Sequence, residues 1–171
     1  MAVIDRHLIF TFAGQRLAIQ VGRVREICNF IQLGGNGSKS ACVGGAHSLR
    51  GIEVPVLDLG AVLGPGFSSG AAPKCLLVVQ TGDSSSELTA GIPADEVKAI
   101  LEVRSDQIRA IRAADALSQS NLLAVKGQHD KAGLVLDADV LIMLANARRR
   151  AALGTIARTV QAAAAAWRHL S

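Results

Sequence analysis

"SLRGIEVPVLDLG", residues 48–60, sets an arginine directly before a glycine at the entrance to an apolar strand, with a proline in mid-strand and an aspartate near its end. Gly51 permits a bend and Asp58 closes the strand. Pro55 cannot donate to a β-ladder, which places the strand at an edge or beside a bulge. On composition alone Arg50 is a solvated charge. The segment 52–59 is thus a short strand between turn residues, and strands of this kind recur along the chain.

Upstream, HLIFTFA (7–13) and RLAIQ (16–20) flank Gly14-Gln15, which predicts a hairpin with a two-residue turn. VREICNF (24–30) alternates in polarity and predicts another strand. Downstream lie CLLVVQ (75–80), the polar turn GDSSSE, ELTAGIPA (87–94) and EVKAILEV (96–103), then a late hairpin from NLLAVKG (121–127) and AGLVLD (132–137). Gly-Pro-Gly at 64–66 and GAAP at 70–73 divide the strands into two sets of similar rhythm. Regularly spaced short strands without long crossover helices predict barrels or sandwiches. From Ala138 onward Leu141, Leu144, Leu153, Ile156, Val160, Trp167 and Leu170 recur at helical spacing amid alanines, so the chain ends in a helix.

Several function classes recede on these residues. The stretch "LGGNGSKSACVGG" (33–45) resembles a phosphate loop, but Ser38 stands where the motif needs glycine before Lys39 and Leu33 where its first glycine belongs. A nucleotide-binding enzyme built on Gly34 to Ser40 is therefore the disfavoured alternative, and the stretch reads as a turn-rich connection. The net charge of +4 arises largely after Asn146, where Arg148, Arg149, Arg150, Arg158 and Arg168 face no acidic residue. With 3% aromatics and no tyrosine the chain lacks a base-stacking platform, so no nucleic-acid partner is expected. His7, His47, His129 and His169 show no ligand spacing to one another or to Cys28, Cys42 and Cys75, which predicts no metal, no cofactor and no disulfide framework. Asp95-Glu96 reads as exposed carboxylates beside a strand start, and no catalytic constellation emerges. Without a signal peptide or an apolar span, the expected location is the cytoplasm, with no direct membrane insertion.

Up to about residue 145 the chain resembles the CheW-like domain family, the coupling modules of bacterial chemotaxis. FTFAGQRLAIQVGRVREI is similar to the family's opening strand, turn, strand and V-x-E-I element; SLRGIEVPVLDL stands for its N-L-R-G-x-x-x-P-V-x-D-L hallmark; GIPADEV (91–97) and LVLDADVLI match its later elements. The resemblance implies a mainly β fold of two intertwined five-stranded SH3-like barrels with a C-terminal α-helix, a CheW-like domain over 1–146 and a basic, alanine-rich helical extension over 147–171. It implies a non-catalytic adaptor with two protein partners, the regulatory domain of a CheA-type histidine kinase and the cytoplasmic tip of a chemoreceptor. It also implies that Val24, Glu26 and Arg50 face the receptor in a groove between the barrels, and that Gly51, Pro55 and Asp58 serve folding or contact. The glycine-rich stretch replaces a segment that usually carries proline in this family, and on the resemblance it links the two barrel halves and borders the protein-binding groove.

Overall fold

The computed structural model describes residues 2–30, 43–68, 72–81, 88–111 and 124–147. Among these residues ten strands form two five-stranded sheets. The first holds β1 (Ile4–Phe12), β2 (Gln15–Gln20), β8 (Glu96–Arg104), β9 (Val125–His129) and β10 (Gly133–Leu136), in the order β8-β1-β2-β10-β9. The second holds β3 (Val24–Asn29), β4 (Val43–Leu49), β5 (Ile52–Leu57), β6 (Cys75–Gln80) and β7 (Thr89–Ala94), in the order β3-β6-β7-β5-β4.

The chain begins in the first sheet, builds all of the second with β3 to β7, and returns through β8. The two sheets are nested, and the expected division into sequential halves at 64–73 does not hold: β5 and β7, on either side of it, pair in parallel at Val56 and Gly91. The stretch 31–42 lies outside the described residues. Its flanking strands, β3 and β4, are the two edges of one sheet, so it connects strands of the second sheet and does not link the two barrels. The strand after it already includes Gly44 and Gly45, which had read as loop.

Burial on both faces explains the apolar runs. In β1, Leu8, Phe10 and Phe12 enter a large shared core, whereas Ile9 points the other way to join Ala18, Val103, Ala132 and Val135 inside the first sheet. In β6, Leu77 and Val79 enter the shared core while Leu76 and Val78 line the interior of the second with Val54 and Val56. Period-two alternation thus distributes one strand's side chains between two cores, and full burial of a side chain such as Phe10 contributes about 1.5–3 kcal/mol. Two helices seal the shared core. A short α1 (Leu59–Leu63), unforeseen in the sequence, supplies Leu59, Val62 and Leu63; α2, helical over 138–147, supplies Leu141, Ile142 and Ala145. The arginine-rich tail beyond α2, expected to be helical, lies outside the described residues.

The first sheet curls on itself through Arg109, whose N–H and C=O each bond Gln128 at 2.8 Å beyond the end of β8. Gly127 is needed there, because a Cβ would sit 2.4 Å from the Arg109 carbonyl oxygen. In the second sheet the edge strands β3 and β4 approach through side chains, Cys28 Sγ lying 3.8 Å from His47 Nε2.

Candidate functional site

The β4–β5 hairpin decides where Arg50 stands. Leu49 pairs with Ile52, leaving Arg50 and Gly51 as a two-residue turn with φ of 50° and 81°. Positive φ at both central positions is the pattern of a type I′ turn, which matches the twist of the strands it joins. Glycine accepts that conformation freely, whereas arginine is strained in it by roughly 1–2 kcal/mol. The tip therefore holds a side chain that the backbone disfavours. The β1–β2 hairpin repeats the device with Ala13 and Gly14 at φ of 51° and 77°, so its turn is Ala13-Gly14, one residue earlier than the expected Gly14-Gln15.

Arg50 Nη2 lies 3.3 Å from Glu26 Oε2 and 3.4 Å from Oε1. The two residues are 24 apart in sequence and meet because β3 and the β4–β5 tip converge at the open edge of the second sheet. The Arg50 side chain is 72% exposed and that of Glu26 26%. Such a long, wet ion pair adds at most about 1 kcal/mol to folding. It fixes the guanidinium's direction and leaves its other N–H donors to solvent.

Val24 does not share this surface. β3 pairs Val24 with Val79 and Glu26 with Val78, so Arg25 is the extra residue of a bulge. Val79 belongs to the shared core and Val78 to the second sheet's interior, and directly opposed residues share a face. Val24 accordingly packs against the shared core, while Glu26 joins Cys28 on the concave side.

The other hallmark residues have local structural tasks. Asp58 begins α1: its carboxylate accepts the Ala61 N–H at 3.1 Å and its carbonyl the Val62 N–H at 3.0 Å. Pro55 stands opposite Ala46, next to the bulge that Gly44 makes between the Val43–Leu57 and Gly45–Val56 pairs. Of the two expected settings for this proline the bulge is correct; β5 is an inner strand, and its missing N–H is tolerated because β5 pairs with β7 only at Val56.

Two features escaped the sequence reading. Ile52, beside the turn, is 55% exposed and adds apolar surface to the arginine tip; an apolar residue at a strand start gives no sign of which way it faces. Asp95, taken for a solvated carboxylate, accepts the Ala13 N–H at 2.9 Å and donates its own N–H to the Thr11 carbonyl at 2.8 Å. The only signal was its place between two strands.

Among the described residues no three metal-capable side chains converge, and burial followed by the charge of Glu26 pushes the Cys28 thiol above its ordinary value. The family model for the CheW-like domain matches residues 6–145, and the chain belongs to that family. Its fold is similar to the crystal structure of the scaffolding protein TtCheW from Thermoanaerobacter tengcongensis, with a TM-score of 0.63 and 17% sequence identity over 81% of this chain and 88% of that one. Membership makes the chain a CheW-like coupling adaptor, and the family points to a non-enzymatic role. No helix among the described residues is long and apolar enough to cross a membrane.

Proposed function

We propose that this adaptor couples the cytoplasmic tip of a chemoreceptor to the regulatory domain of a CheA-type histidine kinase, and that Arg50 with Glu26 forms part of its receptor-facing surface. The observation that carries this reading is the Arg50-Gly51 turn. A non-glycine residue is kept in the left-handed region at an exposed tip, where a glycine or asparagine would fit with less strain. The guanidinium there offers free donors beside the exposed apolar Ile52. Apolar contact supplies most of the energy in such an interface, and the charge sets register and partner choice.

Gly51 supports the site by permitting the turn, whereas Asp58 and Pro55 act through the fold. Val24 contributes by anchoring the start of β3 against the core. The working location is the cytoplasmic side of membrane receptor arrays, reached through the partners. Residues 1–146 form the coupling domain in this reading, with 147–171 as an extension.

The test is a three-component capture. An immobilised receptor hairpin fragment should retain the kinase regulatory domain only when this chain is added. Equal retention of the kinase domain with and without the chain would contradict the coupling role.

A further inference from the structure

We propose that Cys28 and His47 form a binding site for a soft monovalent d10 cation, Cu(I) or Ag(I), held between the two edge strands of the second sheet. Sγ and Nε2 face each other at 3.8 Å across β3 and β4. Thiolate–metal and imidazole–metal bonds of about 2.3 and 2.0 Å can span up to roughly 4.3 Å, so one ion fits between these atoms at a wide angle with little strand movement. His47 is only 7% exposed, and among the described residues the Cys28 sulfur is its one hydrogen-bond partner.

The surroundings select the charge of the ion. Cys28 is registered with Leu76 and His47 with Val54, so both side chains point into the apolar interior with Val56 and Val78. A thiolate and a monovalent cation cancel, and a neutral imidazole adds nothing. The nearby Glu26 carboxylate is already paired with Arg50, so the thiolate is the charge left for the ion to balance, and a divalent ion would leave a net positive charge at high desolvation cost. Among the described residues the site offers two donors, and a thiolate with an imidazole suits a soft ion of low coordination number. On binding, the Cys28 S–H bond breaks, a sulfur–metal bond forms and the proton passes to solvent; no electron is transferred.

The experiment uses the full chain with Cys42→Ser and Cys75→Ser, so that Cys28 is the only thiol. Cu(I) is titrated anaerobically against bicinchoninate. One equivalent should bind, His47→Gln should weaken the affinity at least tenfold, and Cys28→Ser should abolish binding. X-ray absorption on the loaded parent chain should show one sulfur and one nitrogen neighbour, which decides the matter even where a variant fails to fold. Affinity unchanged by His47→Gln in a folded variant, or a copper environment without nitrogen, would overturn the proposal by revealing ordinary thiol binding.

Discussion

Asp95 grips the tip of the β1–β2 hairpin at two points, accepting the Ala13 N–H at 2.9 Å and donating to the Thr11 carbonyl at 2.8 Å. It stands between β7 and β8, where the chain passes from the second sheet back to the first. The contact therefore joins the sheets through a charge-assisted hydrogen bond to a left-handed turn residue. Asp95→Ala should cost about 1.5–3 kcal/mol, the scale of a hydrogen bond to a charged group. Asp95→Asn, which keeps an acceptor oxygen, should cost clearly less. Urea unfolding of both variants checks this, and equal midpoints for the two would show that the bond does not hold the crossing.

Asp58 belongs to the hallmark segment, yet it caps α1 and its part is structural. Asp58→Ala should destabilise by about 1 kcal/mol, the usual worth of an N-cap, and leave the affinity of the folded protein for a receptor fragment unchanged. A denaturation curve with a matched titration separates the effects. A large loss of affinity at full stability would move Asp58 into the docking surface.

The residues that made the fold legible are those buried on both faces. HLIFTFA and CLLVVQ read as strands because the middles of β1 and β6 are buried on both faces, and the family's motifs gave their order. Short elements and tertiary meetings were less visible. α1 spans five residues, too few for a helical period to emerge, and its one signal, Asp58, also reads as a strand end. The first hairpin was displaced by one residue because a lone glycine fits either central turn position, and only the pairing of Phe12 with Gln15 places it second. β4 was hidden by Gly44 and Gly45, poor strand formers tolerated at its bulge. Arg50 and Glu26 came together through the resemblance alone, since no local period links positions 24 residues apart. The bulge at Arg25, which separates Val24 from Glu26, leaves no mark in an alternating sequence.

His7 is buried in β1, and desolvation, opposed by its contact with the Asp5 carbonyl, holds its pKa below the ordinary histidine value; Lys126 and His129 add to the lowering. The folded state therefore favours the neutral ring. As pH falls below the unfolded value of about 6.5, the unfolded chain takes up the proton first and stability declines, levelling once the folded form is protonated too. His7→Gln should flatten the dependence of the urea midpoint between about pH 7 and 5. A slope unchanged by that substitution would assign the acid sensitivity elsewhere.

The Arg50 tip carries the central claim, and titration of a receptor hairpin fragment with wild type, Arg50→Glu and Arg50→Asn tests it most directly, each variant also being titrated with the kinase regulatory domain. Asparagine accepts positive φ more readily than arginine, so Arg50→Asn should melt at or slightly above the wild-type temperature. Both variants should bind the receptor fragment roughly tenfold more weakly or worse, the scale of a lost interfacial charge contact, with Arg50→Glu the weaker because it sets a second carboxylate beside Glu26. Kinase-domain affinity should stay near wild type. Unchanged receptor affinity in folded variants, or equal loss toward both partners, would contradict the assignment of Arg50 to the receptor-facing surface.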